Sequence, residues 1–363
     1  MPSVSLCLRA FMSLCSKVFL SLLFFSCMES IEEYPNNPRG NFEALWKIMD
    51  EQYCFFEYKE IDWDSIYSEY SPQVKNNMNQ DTLFALLNQM LQELKDGHVN
   101  LYTPFDVGRY WKWFEDYPGN FDADLLENSY LRPDYAIAGS FRYKILDDNV
   151  GYVYYGSFMN TVGDANLDYI IHKMQNCSGI IFDVRNNGGG SLTNVDKLVS
   201  RFINEKTLVG YYQYKTGKKR DDFSELKEKY IEPSTRLRCR KPVIVLTNRR
   251  CFSAANEFVN AMRYCPNVRI LGDRTGGGSG LPLSSELPNG WSVRFSACPN
   301  FDADKQQIEF GIDPDIRVDL LPSDAANGRD TLIETARELL NDLPPTPSEG
   351  GGVAFALSPP FPN

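Results

Sequence analysis

The chain has 363 residues, of which 43% are hydrophobic and 13% aromatic, a core-forming composition with room for two domains rather than a disordered one. Its 37 basic and 48 acidic residues leave a formal charge of −11 at pH 7. That balance excludes nucleic acid as a partner, since phosphate binding needs a basic face. The densest basic run, Lys218-Lys219-Arg220, is followed at once by Asp221-Asp222 and reads as a solvated hairpin tip.

The first feature in chain order is Lys17 ahead of the apolar stretch 18–25, which ends at Ser26-Cys27. That stretch is too short to span a bilayer but suits the apolar region of a signal peptide. A small residue before cysteine resembles a bacterial lipobox. Residues 1–27 are therefore expected to be a signal peptide, with Met12 as an alternative start and Cys27 acylated after cleavage. Residues 28–39 read as a polar tether, in which Glu29, Glu32 and Glu33 suit a lipoprotein sent on to the outer surface. The other reading, a buried N-terminal helix, is disfavoured because the apolar stretch lacks a polar face.

Residues 40–97 carry three helical patterns. Asn41 is expected to cap a helix bearing Phe42, Leu45, Trp46 and Met49 on one face. Asp62 opens a second with Trp63, Ile66, Tyr67 and Tyr70. Asp81 opens a third, with Leu83, Leu86, Leu87, Met90, Leu91 and Leu94, stopped by Gly97. These make a small helical bundle whose aromatic stripes are core.

From residue 99 the period changes. Strands are predicted at 99–102, 135–145 and 150–155, then a helix at 163–174, a buried strand at 179–184 and a helix at 192–203. A strand at 208–214, a buried strand at 243–246, a helix at 253–264 and a strand at 268–271 follow. Segments 283–287 and 291–296 form a hairpin around Pro288-Asn289-Gly290, and a helix at 331–340 closes the pattern. Alternating strands and helices predict an α/β core with a partly parallel sheet, spanning 98–342. Residues 343–363 are rich in Pro, Gly and Ser and are expected to be a disordered tail. Cys54, Cys177, Cys239, Cys251, Cys265 and Cys298 show no metal-ligand spacing and read as small buried apolar side chains.

Two junctions carry the chemistry. The run Ile180 to Val184 breaks into Arg185-Asn186-Asn187-Gly188-Gly189-Gly190, a turn that lets the backbone approach a ligand and point N–H groups at it. Such a nest suits a phosphate, a carboxylate or the oxyanion of acyl transfer. In the second, the buried strand 243–246 turns at Asn248-Arg249-Arg250-Cys251-Phe252 and Ser253 starts a helix among small neighbours. Ser253 is there either an ordinary N-cap or a nucleophile beside the free Ala254 N–H. Of the chain's two histidines, His172 sits late in a predicted helix, whereas His98 follows a helix stop and is the better base. Glu309, Asp313 and Asp315 are the candidates for the carboxylate that orients it. Glu309 alternates with apolar Ile308 and Phe310, while Asp313 and Asp315 flank Pro314 as turn formers.

These pieces resemble a family of secreted serine peptidases that includes the C-terminal processing (tail-specific) proteases, the tricorn core protease and the retinoid-binding-protein-like repeats. Five elements carry the likeness in order: Asp96-Gly97-His98, Asp183 to Gly190, Phe252 to Phe258, Gly272 to Gly277 and Gly311 to Ile316. The resemblance implies a crotonase-like spiral ββα core after the helical bundle, and peptide-bond hydrolysis with Ser253 as nucleophile. It also implies an oxyanion hole from the Gly189 and Ala254 N–H groups, with no metal or organic cofactor. Tail-specific proteases place a lysine in the glycine-rich turn, but here that turn reads Thr275-Gly276-Gly277-Gly278-Ser279-Gly280. The likeness is thus closest to the tricorn and retinoid-binding-like branch, in which His98 would be the base and Glu309 its orienter. Gly97 stands where the tricorn arrangement has a serine. No peptide-binding PDZ module fits between Thr103 and Leu131, a stretch with Tyr110, Trp111, Trp113 and Phe114 that reads as a packed lid or part of a substrate cleft.

The expected protein is a lipid-anchored peptidase of the bacterial cell envelope, at the outer membrane or cell surface, acting on a peptide or protein substrate, with its oligomeric state open. Two alternatives use the same scaffold: a catalytically silent module that binds a peptide or apolar ligand, and a crotonase-like acyl-transfer enzyme. The last needs basic residues near the glycine turn for coenzyme A, and only Arg185 is there.

Overall fold

A computed structural model describes residues 34–343. The signal peptide and lipobox expected at 1–27, Cys27 among them, lie outside the described residues, as does the tail expected at 343–363 apart from its first residue.

Three helices open the described chain: α1 (Pro38–Gln52), α2 (Trp63–Tyr70) and α3 (Gln80–Gln92). Asp62 caps α2 as expected, accepting from the Ser65 N–H. The other two caps lie further upstream than predicted. Asn37, not Asn41, caps α1 by accepting from the Gly40 N–H, with Pro38 in the first turn, and Asn79, not Asp81, caps α3. In both cases the first helical turn is polar, so the first apolar residue is a poor marker of the start. Asn41 instead lies inside α1, where its side chain accepts from the Asn289 N–H.

The strands in chain order are β1 (Asn100–Tyr102), β2 (Val107–Gly108), β3 (Ala136–Ala138), β4 (Phe141–Ile145), β5 (Gly151–Tyr154), β6 (Ile180–Asp183) and β7 (Thr207–Tyr212). They continue with β8 (Lys227–Ile231), β9 (Val243–Thr247), β10 (Val268–Gly272), β11 (Leu281–Glu286), β12 (Ser292–Cys298), β13 (Asn300–Phe301) and β14 (Ile316–Arg317). Between them run α4 (Lys112–Glu115), α5 (Asp164–Lys173), α6 (Leu192–Val199) and α7 (Ala254–Met262), and α8 (Thr331–Asn341) follows β14. The strand predicted at 135–145 is two, β3 and β4, folded back at Gly139.

The main sheet has the order β14-β10-β9-β6-β5-β4-β3, parallel from β5 to β14 and antiparallel from β3 to β5. Its central strands are apolar without interruption because both faces are covered. Ile180, Phe182, Val243 and Val245 pack with Leu167 and Ile170 of α5, Leu198 of α6 and Phe258 of α7. The alternate residues, Ile181, Ile244 and Leu246, meet Leu332, Ile333 and Ala336 of α8 on the other face. Full burial of one such side chain contributes roughly 1.5–3 kcal/mol.

The helical bundle is not closed on itself. Its core residues Phe42, Leu45, Leu87 and Met90 pack with Leu101, Val293, Phe295 and Ala297 from a second sheet of order β11-β12-β1-β2. The hairpin β11–β12 thus leaves the α/β core to complete the bundle. A third sheet, β13-β7-β8, includes the unpredicted β8. The turn between β7 and β8 holds the basic run, and Arg220 is not the solvated tip expected there. It bridges Asp50 of α1 and Asp64 of α2 at 2.7 Å each, because the turn folds back onto the bundle.

Candidate active site

Parallel neighbours put the chemistry-bearing turns on one edge. Strands β6 and β9 pair with Asp183 beside Leu246, and β9 pairs with β10. The glycine turn 185–190, the Ser253 turn and the Thr275–Gly280 segment therefore all leave the carboxyl ends of adjacent strands, where open α/β sheets receive ligands.

Ser253 stands at the start of α7, but it is not a capping serine. Its φ is +57° and its ψ −121°, and its side chain makes no cap hydrogen bond. An N-cap residue has extended backbone, and a non-glycine residue at positive φ costs on the order of 1–3 kcal/mol unless its surroundings impose it. Here they do. The Ser253 N–H donates to the Gly277 carbonyl at 2.8 Å, and the Phe252 N–H donates to the Asn187 carbonyl at 3.1 Å. The residue is half-buried at the head of the helix. The Ala254 N–H, first in α7, has no carbonyl within the helix to bond.

Gly189 lies directly against this serine. A Cβ there would stand 2.8 Å from both Ser253 Cβ and Ala254 N, so only glycine fits. The Gly189 N–H itself donates to Asn187 Oδ1 at 3.0 Å, and Asn187 is anchored in turn through its Nδ2 on the Tyr155 carbonyl. Donation from Gly189 to a substrate oxygen therefore requires release of that side chain. Arg185 is withdrawn from the edge altogether. It is fully buried, held by Asp183 at 2.7 Å and Asp330 at 2.9 Å, and offers no basic group for coenzyme A.

His98 is buried at the end of the bundle, its backbone N–H donating to Asp96 Oδ1 at 2.8 Å. Its ring packs 4.7 Å from the ring of Phe252, the residue before Ser253. Burial pushes its pKa down to about 4, against the opposing pull of Asp96. A neutral imidazole is the form that accepts a proton. Neither ring nitrogen has a hydrogen-bond partner, so the ring touches the turn of Ser253 through Phe252 and is not bonded to the Ser253 hydroxyl. His172 is exposed on α5, and Asp315 accepts from the Ile270 N–H.

Glu309 is buried beside the glycine segment, with Oε2 accepting from the Ser279 N–H at 2.8 Å and Oε1 2.9 Å from Lys59 Nζ. It does not bond the His98 ring. Burial raises its pKa to about 7, with Lys59 opposing the rise and Asp96 adding to it. Lys59 lies also 3.3 Å from Asp96, and that carboxylate further accepts from Tyr53 and Ser296.

Nothing in the pattern of residues around it marks this lysine, which stands between Tyr58 and Glu60. A second unpredicted feature is the stacking of Trp113, from α4, on Phe252 with ring centroids 4.2 Å apart. A Cβ at Gly97 would meet Trp113 Nε1 at 2.6 Å and Phe252 Cζ at 2.9 Å, and side chains at Gly276 and Gly278 would overlap the same two rings. The aromatic pair thus fills a slot walled by three glycines, and Arg249 holds Trp113 by its carbonyl at 2.7 Å. The aromatic richness of 110–114 was visible in the sequence, but its meeting with Phe252 was not.

The assembly is a mixed α/β protein in which a strained serine and a glycine turn share one sheet edge, faced by a histidine from a helical bundle. Residues 149–318 match the model of peptidase family S41, and residues 34–92 match that of the Tricorn protease C1 domain. Neither match is a PDZ module. A solved structure of a candidate peptidase from Parabacteroides merdae is 57% identical and superposes with a TM-score of 0.81 over 84% of this chain and 97% of that one. The carboxy-terminal processing protease CtpA of Bacillus subtilis is 27% identical over 48% of this chain and 36% of its own length. A candidate Tricorn-like protease C-terminal subunit of Sulfurisphaera tokodaii is 31% identical over 44% of this chain and 17% of its own. The chain belongs to peptidase family S41. It spans about a third or less of the length of these two curated relatives.

Proposed function

We propose that the chain is a serine-type peptidase of the bacterial cell envelope, related to the C-terminal processing proteases, with Ser253 as its nucleophile. The observation that carries the reading is the backbone of Ser253: positive φ and no capping bond, a cost without a structural return. In this reading Ser253 Oγ attacks the scissile carbonyl carbon while His98 takes its proton. The tetrahedral oxyanion is met by the Ala254 N–H and by Gly189 once Asn187 lets go. Collapse expels the amine, which receives the proton from His98, and water then hydrolyses the acyl-enzyme by the same route. Glu309 acts on the base through the buried charge cluster it shares with Asp96. The chain is anchored through acylated Cys27 and faces the periplasm or the exterior. Metabolic labelling with a palmitate analogue in a bacterial host checks the anchor, which predicts loss of label in Cys27→Ala.

A second reading, a silent binding module for a peptide or apolar ligand, is favoured by the unpartnered His98 nitrogens and by the Trp113–Phe252 stack beside them. A fluorophosphonate probe separates the two. The peptidase reading predicts covalent labelling of the folded mature chain at Ser253, abolished in Ser253→Ala. An unlabelled but folded protein would favour the binding module.

A further inference from the structure

Among the described residues, Lys59 is the cation that pairs with carboxylates on both sides of the site. On one side its ammonium lies 3.3 Å from Asp96 Oδ2, and Asp96 Oδ1 accepts from the His98 N–H at 2.8 Å, fixing the turn that presents the base. On the other side it lies 2.9 Å from Glu309 Oε1. The remaining oxygen, Glu309 Oε2, accepts from the Ser279 N–H at 2.8 Å, and the Glu309 carbonyl accepts from the Gly278 N–H at 3.0 Å. The next carbonyl back, that of Gly277, accepts from the Ser253 N–H at 2.8 Å and so holds the nucleophile in its strained turn. An unbroken path of bonds thus runs from the amide of the base to the amide of the nucleophile, and a single ammonium closes it. All three charged side chains are at most 5% exposed.

Lys59 does not belong to the α/β core. It sits after α1, in a turn where the Lys59 N–H donates to the Phe55 carbonyl and the Cys54 N–H donates to the Ser296 carbonyl of β12. Two carboxylates this close and this buried cannot both stay ionised without a cation between them. The groups facing the cluster are Tyr53, Cys54 and Tyr58 from the α1 side, Tyr110, on which the Lys59 charge acts, His98, and Arg294, whose charge acts on His98. Among these, Lys59 alone contacts both carboxylates.

We infer that Lys59 is a positioning residue of the hydrolytic site: its ammonium joins Asp96 to Glu309 and so sets His98 and Ser253 relative to one another. The inference rests on the reading of Ser253 and His98 as nucleophile and base. It makes the region matched to the tricorn C1 domain a contributor to the site rather than an appendage.

The test is the rate of fluorophosphonate labelling at Ser253, per folded molecule, from pH 5 to pH 9 in wild type, Lys59→Met and Lys59→Arg. Without the cation, Glu309 holds its proton to higher pH. The labelling midpoint of Lys59→Met should rise by at least about one pH unit, with a rate at pH 7 lower by about fivefold or more. Lys59→Arg, which keeps the charge, should restore the wild-type midpoint. If Lys59→Met does not fold, Lys59→Gln takes its place with the same expectation. A wild-type rate and midpoint in the uncharged variant would overturn the inference while leaving the peptidase reading intact. A folded wild type that takes up no label at any pH would overturn both.

Discussion

His98 sits where water cannot solvate a charge, and the consequence is measurable in stability. In an unfolded chain the imidazole binds a proton near pH 6.5, whereas burial holds the folded value at about 4. Between those values the unfolded state carries a proton that the folded state refuses, so stability is lost as pH falls from 6.5 towards 4. Glu309 works in the opposite sense: raised to about 7, it keeps a proton that the unfolded chain gives up above about pH 4.5. Its contribution therefore falls as pH rises through the same range, and the two partly cancel in the wild type. Comparison with His98→Phe isolates the first. On acidification from pH 7 to pH 5 the wild type should lose about 2 kcal/mol more than the variant, measured by urea unfolding at both pH values. Equal losses would mean that the folded protein protonates His98 as readily as the unfolded chain does. The sequence located this histidine by its place after a helix stop, and located Ser253 by the small residues around it. It could not show that Ser253 is strained, because φ there is imposed by the Gly277 carbonyl, 24 residues on. Nor could it show Lys59, because a buried cation and a solvated one are spelled alike.

At the scale of elements, the short helix α4 matters more than its length suggests. Trp113 stacks on Phe252 and Phe114 lies under the Arg250 guanidinium, 4.1 Å from its ring centroid, so two consecutive aromatics grip the turn that presents Ser253. The buried Trp113 indole N–H has no acceptor, a polar group left unsatisfied beside two unpartnered imidazole nitrogens. An unsatisfied buried donor costs about 1–3 kcal/mol, which marks this arrangement as one that a ligand can displace. Trp113→Ala should accordingly label several-fold faster with a small fluorophosphonate, as read by the initial rate on folded protein. Slower labelling would mean that the indole shapes the site instead of covering it. The same scale shows what patterning could and could not give. The buried strands β6 and β9 and the helices α5, α7 and α8 stood out by periodicity and fell within a few residues of their predicted limits. Strand β8 did not, because Lys227, Glu228 and Lys229 are charged and its partner β7 supplies the pairing.

For the whole molecule, the boundary between bundle and core is where sequence reading was weakest. A change of period near residue 98 suggests two separate bodies, yet Val293, Phe295 and Ala297 of β12 are buried among α1 and α3. A chain beginning at residue 98 would expose that apolar face, and it would also lack Lys59. Such a truncation should bind a hydrophobic dye and take up no fluorophosphonate, and supplying residues 34–97 as a separate chain should reverse both. A soluble, dye-silent, labelled truncation would show that the core folds and works alone. The periodicity could not reveal this because strand alternation in β12 says only that one face is buried, not which part of the chain buries it.

One carboxylate near the end of the described chain has a further effect. Asp330 accepts from the Leu332 and Ile333 N–H groups at the head of α8 and, with the same side chain, neutralises the guanidinium that precedes the triple-glycine bend. During synthesis the strand carrying Arg185 emerges some 145 residues before that counter-ion does. Until then a cation destined for complete enclosure has only Asp183 to balance it, and the sheet face reserved for α8 stays open. The edge that carries the glycine turn and Ser253 therefore receives its last counter-ion from the final helix of the described chain, and a copy ending before Asp330 lacks it.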